Sequence, residues 1–576
     1  MVTDILDDEI SIANQIEQAA ALLLEQKPAL CGCGELVAAM TWVPSMIDLD
    51  RLAPLDLLVI AGYALTILVI GVITARHTHS GDDLFLAGRR LAWAPIGLSL
   101  FASNISSTTL IGLAGAAYTW GIAVANYEWM AAPILVLMAL VFAPLYLNAR
   151  IGTVPEYLER RFDWRSRRYF SALTLVSNIV VDTAGTLFAG ALVLTAFVPQ
   201  LDLFAAALLL AAIAALYTAA GGLAAVVYTD VVQAILLLVG AVLVTLLSFA
   251  RIDFDWSTVV AATAPEQRSL FLPLSDPNLP WLGVLVGVPV LAFYFWCTNQ
   301  FIVQRVLGAR SLADARAGVL LAGLLKLPVL FIMVLPGLMA VLILPPLENP
   351  DQVFPALISE LLPAGLTGLI LAALVAALMS SIDSTLNSAS ALLTLDFIKP
   401  LRPGLSPRQL GWIGRGGILL FMLLAAAIAP LIGHFEGLFH YLQTALSYLV
   451  PPVVAVFLFG AFWKRPDAVS ALVTLIGGHM LSAVLFGLWL GGLFRLHFTL
   501  VAGLLFAASA LILILTTLLR STHAAARAAP APGTVWCLAM AVPEARPGQR
   551  RPRWADYRFQ ALILLLLTLL LVLSFA

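Results

Sequence analysis

The feature that most constrains this chain is a long series of apolar runs, each about twenty residues. A helix needs about 20 such residues to cross ~30 Å of hydrocarbon. Fourteen runs of that kind occur, at about 55–76, 91–119, 121–147, 169–197, 203–220, 224–249, 280–298, 317–345, 363–396, 413–432, 437–463, 468–494, 497–519 and 558–576. They are continuously apolar rather than alternating, which excludes a membrane β-barrel. Apolar residues make up 61% of the chain and charged residues 11%, against about 25% charged in an ordinary soluble domain. A soluble globular fold could not hide so much apolar surface, and a disordered chain would not contain it. The sequence predicts an all-α polytopic membrane protein. A net charge of −2 gives no footprint for nucleic acid.

Basic residues set the direction of threading. With the N-terminus outside, the inner loops hold 25 of the 31 Lys and Arg, including Arg305, Arg310 and Arg316, and the outer segments hold five. That asymmetry is the positive-inside pattern. It predicts that both termini lie outside, which requires an even number of spans. The first 45 residues open with acids (Asp4, Asp7, Asp8, Glu9) and lack a basic n-region, so they do not read as a secretory signal. Two readings stand: a short amphipathic helix over 10–25, or a true start at Met46. No function is assigned to them. Cys31 and Cys33 form a lone C-x-C, which is weak as a metal motif, and four cysteines do not make a disulfide framework.

Ionisable groups at membrane depth are costly, so each asks for a reason. Glu128, Asp182, Asp230 and Asp383 fall within spans, with Lys326 as the one base among them. The surplus of negative charge is suited to bound cations; the plainer alternative is that Lys326 pairs with Glu128 or Asp182. Span 2 carries F-A-S-N-I-S-S-T-T at 101–109, whose Ser, Thr and Asn side chains compete with helical hydrogen bonds. A break there frees carbonyls where only a cavity or an ion makes irregular backbone tolerable. In span 9, Ser380, Ser381, Ser384 and Ser388 share a helical face. Hydroxyls beside freed carbonyls form an all-oxygen site that suits a hard monovalent cation. The expectation is that spans 2 and 9 are both interrupted and hold such an ion between them.

These motifs resemble the sodium:solute symporter family, in its sodium/glucose cotransporter branch. The pieces that match are ASNISS (102–107), NYEWMAA (126–132), TVPEYLERRF (153–162), GGLAAVVYTDVVQ (221–233), WCTNQFIVQRVLGAR (296–310), LLKLPVLFIMVLPG (324–337), ALMSSIDSTLNSASALLTLDF (377–397) and QTALSYLVPPVVAVFLFGAFWKR (443–465). The resemblance implies a five-plus-five inverted-repeat core with broken helices. An extension of unknown role (1–50) and a leading span with its inner loop (51–90) would precede repeat 1 at 91–249. An outer loop (250–279), repeat 2 (280–465), two added spans (466–519), an inner loop (520–557) and a last span (558–576) would follow.

Carried over residue by residue, the resemblance implies a sodium site made by the carbonyls of Ala102, Ile105 and Ala377 and the hydroxyls of Ser380 and Ser381. A second sodium position maps to Ser103, Asp230, Ser381, Asp383 and Ser384, where Asp383 replaces an uncharged residue. The solute site maps to Asn104, Glu128, Lys326 and Gln443, with Trp296 as a stacking face. Thr109 stands in place of a longer polar residue, and Phe295 in place of a gating Tyr. The implied activity is sodium-coupled import of a sugar such as glucose or galactose by alternating access, in the plasma membrane. The rivals are a symporter for another solute (inositol, carboxylate, amino acid or nucleoside) and an uncoupled sensor or channel on the same fold. Neither H-E-x-x-H nor G-x-S-x-G occurs and the seven histidines lie mostly in loops, so an enzyme is not expected. Nothing in the sequence sets an oligomeric state.

Overall fold

A computed structural model describes residues 53–75, 85–105, 107–197, 200–363, 365–434, 438–521, 530–541 and 556–576. The expectations for residues 1–45, including Cys31, Cys33 and Met46, lie outside the described residues. The described chain is helical, and its extended pairing is limited to two isolated bridges, Leu91 with Ala309 and Leu272 with Pro280. The helices that position the site are α1 (Pro54–Ala75), α2 (Trp93–Asn104), α3 (Ser107–Trp120), α4 (Leu203–Arg251), α5 (Gln300–Leu307), α6 (Leu312–Lys326), α7 (Leu366–Leu392) and α8 (Leu438–Leu449).

The apolar runs become helices because hydrocarbon offers no partner for a backbone amide. Polar residues mark where they start. Asp202, Ser311 and Asp467 each accept a hydrogen bond from an amide in the first turn of the helix that follows. Asp56 on α1 reaches across to the start of α7, accepting from Gly365 N at 2.7 Å and Gly368 N at 2.5 Å. Leu58, Leu65 and Leu68 of α1 and Leu570 of the final helix are more than half exposed, as lipid-facing residues should be.

Ten helices are long and apolar enough to span, or 13 if each of three bent pairs counts once, so the expected fourteen is not reached among the described residues. Among the described residues the run at 203–220 contributes a ten-residue apolar segment, Leu203–Ala212.

The bends fall where the local chemistry predicts. The α2–α3 pair turns by 53° over the Ser/Thr run, and α6 turns by 44° into Leu330–Ile343 at Pro328. The α8 axis turns by 53° at Pro451 and Pro452. Another span, Trp281–Thr298, breaks at Asn299, whose backbone is extended, before α5 begins. Close packing holds these halves together. A Cβ added at Gly337 would stand 2.3 Å from the Ala114 carbonyl of α3. Gly337→Ala is therefore expected to destabilise by about 1–3 kcal/mol, read as a lower midpoint in thermal unfolding of the detergent-purified protein; an unchanged midpoint would refute the close approach.

Candidate functional site

Two polar clusters meet at the α2 break. In the inner one, Asp230 of α4 is fully buried. Its Oδ2 accepts from Ser99 Oγ at 2.5 Å and Ser103 Oγ at 3.3 Å, and its Oδ1 accepts from Ser380 Oγ at 2.5 Å. The Arg305 guanidinium of α5 pairs with Asp230 at 2.9 Å. It also donates to Ser99 Oγ, Ser103 Oγ, Ser384 Oγ and the Phe301 carbonyl. Ser103 and Ser384 face each other at 3.4 Å, which fastens the end of α2 to the middle of α7.

Arg305 corrects the sequence reading, which counted it among the inner-loop bases. It is 1% exposed and neutralises Asp230. Of the four membrane acids, Glu128 and Asp230 are balanced by Lys326 and Arg305. The signal was present: Arg305 sits inside the apolar run F-I-V-Q-R-V-L at 301–307 rather than in a polar loop. Arg161 and Arg316, counted the same way, are also buried. Arg161 donates to the carbonyls of Gly460, Trp463 and Pro466, and Arg316 to those of Ala139 and Met540.

The second correction concerns α7. It is not interrupted at Ser380–Ser388 but runs helical from Leu366 to Leu392. Its hydroxyls bond back to their own helix, Ser384 Oγ to Ser380 O at 2.5 Å and Thr385 Oγ1 to Ser381 O at 3.0 Å, so they do not compete the helix away. Only α2 is broken. It ends at Asn104, and Ile105 turns out of the helix with ψ 76°. The break leaves the last-turn carbonyls without the usual amide partners of a continuing helix, and Thr109 Oγ1 donates to the Asn104 carbonyl at 2.7 Å across the gap.

Of the residues mapped to the main ion site, Ala102, Ile105, Ala377, Ser380 and Ser381 are all buried. Ser381 Oγ has no hydrogen-bond partner among the described residues. Residues on a helix advance about 100° each. Ser380 and Ser384 therefore face Asp230 and Arg305, whereas Ser381 and Asp383 point to opposite sides of that line. Ser381 lines the outer cavity, and Asp383 is buried on the other side. The second group thus divides: Ser103, Asp230 and Ser384 come together around Arg305, with Ser381 and Asp383 to either side.

The outer cluster surrounds a cavity of about 140 Å³. Asn104, Thr109, Glu128, Phe295, Trp296 and Gln443 all line it. Lys326 stands behind that wall: it is fully buried, ion-paired to Glu128, and its Nζ lies 5.5 Å from the Trp296 ring centroid. The plainer reading of Lys326, as the partner of Glu128, is what the geometry has. Phe295 and Trp296 belong to a π-helical turn, Tyr294–Thr298, and meet edge to face at 5.1 Å. Asp182, a membrane acid that the resemblance did not map to the solute site, also lines the cavity. No group of three or more His, Cys, Asp or Glu among the described residues could hold a metal; oxygen ligands from Ser and carbonyls are a different chemistry, suited to sodium.

A broken helix beside a buried polar cluster and an adjoining polar cavity is the architecture of a secondary transporter. The sodium:solute symporter family profile matches residues 84–478, and the chain belongs to that family. It is a sodium-coupled symporter of a small solute, with a five-plus-five inverted-repeat core. Among its relatives is the human "Sodium/myo-inositol cotransporter 2", 39% identical over 476 residues, 75% of this chain and 70% of that one. "Sodium/glucose cotransporter 4" of Danio rerio is 36% identical over 468 residues, 74% and 71% of the two chains. Among solved structures, the substrate-bound outward-open Na⁺-coupled sialic acid symporter superposes with TM-score 0.72 at 25% identity, over 81% of this chain and 98% of that one.

Proposed function

We propose that the chain imports a neutral polyhydroxylated solute, a hexose such as glucose or galactose or a cyclic polyol such as myo-inositol, together with sodium across the plasma membrane. The observation that carries this reading is the cavity wall. Glu128 is balanced by Lys326, Asn104, Thr109 and Gln443 are neutral donors and acceptors, and Trp296 and Phe295 offer flat apolar faces. A polyol needs several convergent polar partners plus a surface for its C–H face. Relatives named for myo-inositol and for glucose, at 39% and 36% identity, support both members of the class.

Sodium is held by the carbonyls of Ala102, Ile105 and Ala377 and the hydroxyls of Ser380 and Ser381, bridging the broken α2 to the unbroken α7. Ser380 gives its proton to Asp230, so its lone pairs remain for a cation. The Ser103–Asp230–Ser384 group is filled by the Arg305 guanidinium, which favours the other set for the principal ion. Sodium binding from outside completes the solute pocket, and the two affinities are reciprocally coupled. An inward potential adds ~2.3 kcal/mol per charge per 100 mV. Both termini are placed outside by the basic-residue asymmetry, and the repeats are assigned to 91–249 and 280–465.

Uptake of labelled glucose and myo-inositol into proteoliposomes, with sodium, lithium or potassium outside, tests coupling and solute class together. Flux that does not depend on the cation would support the uncoupled channel instead. Within this reading, Gln443→Ala is expected to raise the solute KM about tenfold, the value of one or two lost hydrogen bonds. Sodium half-saturation should stay within about twofold; equal damage to both would refute the separation of the two clusters.

A further inference from the structure

Asp182 has no place in the ion cluster, and no ion pair or side-chain hydrogen bond reaches its Oδ2 among the described residues. It sits in a π-helical turn, Asn178–Thr183, that interrupts the regular α-helix on either side of it. Such turns are rare and concentrate at functional sites. This one is pinned from both ends. Thr183 Oγ1 donates to the Asn178 carbonyl at 2.6 Å and meets Thr385 Oγ1 of α7 at 2.9 Å, and Asn178 Nδ2 donates to Ser388 Oγ at 3.0 Å. These bonds commit Asn178 and Thr183 to α7 and leave Asp182 aimed at the cavity. Its Oδ2 is shut off from solvent with no hydrogen-bond partner among the described residues. Phe295, on the same wall, has no hydroxyl to offer it.

A carboxylate held this way is costly unless something pairs with it. Glu128 and Lys326 pair with each other, which leaves Asp182 as the acid of the wall without an ion-pair partner among the described residues. A carboxylate accepts from two hydroxyls at once, the pattern that adjacent groups of a polyol present. Resting on the polyol reading above, we propose that Asp182 is a direct ligand of solute hydroxyls and the residue that excludes acidic sugars from this site. The wall then selects on two counts: a solute lacking hydroxyls strands the carboxylate, and a solute carrying its own carboxylate meets a like charge.

The experiment compares the full-length wild type with Asp182→Asn in proteoliposomes. It uses labelled glucose or myo-inositol as the transported probe and unlabelled glucuronate as the acidic competitor. In the wild type, glucuronate should compete at least about a hundredfold less well than glucose, in line with sites built around buried polar groups. In Asp182→Asn the polyol KM should rise about tenfold or more, sodium half-saturation should stay within about twofold, and glucuronate should begin to compete. The wild-type competition needs no variant, so it stands even if Asp182→Asn does not fold. Glucuronate competing as well as glucose in the wild type would overturn the proposal. So would a variant with wild-type KM, or one that loses only turnover together with its pH dependence, since the carboxyl would then carry a proton rather than the solute. If the wild type takes up neither labelled polyol, the polyol reading itself fails; a transporting wild type with an unaltered variant overturns only the role given to Asp182.

Discussion

Ser381→Ala is expected to abolish sodium-dependent uptake while the protein still folds and reaches the membrane. The reason is the state of the hydroxyl. Ser381 Oγ is buried and makes no hydrogen bond among the described residues, so its removal strands no partner and leaves the packing of α7 intact. Its neighbour Ser380 donates to Asp230 and would behave differently, because losing it uncovers a buried carboxylate. An oxygen on a charged group is worth roughly 1.5–3 kcal/mol, which is about 10- to 150-fold in sodium affinity. At a fixed outer sodium concentration that is enough to remove coupling. Sodium titration of the purified variant without solute, followed by its effect on thermal stability, separates the ion from the cavity that Ser381 also borders. A sodium response equal to the wild type's would place the ion elsewhere.

Arg305→Ala is expected to do the opposite: to damage folding before transport can be measured. Asp230 is fully buried, and Arg305 is the base paired with it. Breaking a buried pair from one side costs about 3–5 kcal/mol, because the remaining charge is stranded, out of a total stability of about 5–15 kcal/mol. The same guanidinium donates to three hydroxyls and one carbonyl from α2, α5 and α7, a fork that an ammonium cannot reproduce. Arg305→Lys should therefore recover only part of the loss. The double variant Asp230→Asn with Arg305→Gln should melt well above Arg305→Ala, since no bare charge remains. Thermal unfolding in detergent reads all three, and a single variant that melts like the wild type would show that Asp230 does not depend on Arg305.

The contrast between α2 and α7 shows how far residue chemistry alone could be read. Both carry dense Ser and Thr, and both looked interrupted. In α2 the polar run reaches 109 and the helix gives way at Ile105; in α7 the hydroxyls find carbonyls one turn back and the helix survives. Local composition does not decide between these outcomes, because a Ser can either compete with a helical bond or add to it. The solute wall was more legible: six of the seven mapped residues line one cavity, and the seventh, Lys326, sits directly behind Glu128. Asp182 was visible as a membrane acid but not as a cavity residue, since a π turn changes the phase of a helix by about one residue and no periodicity count anticipates it.

Membership in the class of polytopic helical membrane proteins was decided by the sequence alone, because the cost of unpaired backbone in hydrocarbon leaves a chain of apolar twenty-residue runs no other solution. The pairing of charges was decided by the tertiary structure. Arg305 reads as a loop base in one dimension and becomes the counter-ion of Asp230, 75 residues away, only when α4 and α5 pack together. Electrostatic energy depends on distance and surroundings rather than on sequence separation. The folded arrangement therefore determines which acids are already balanced and which are left to meet an ion or a solute.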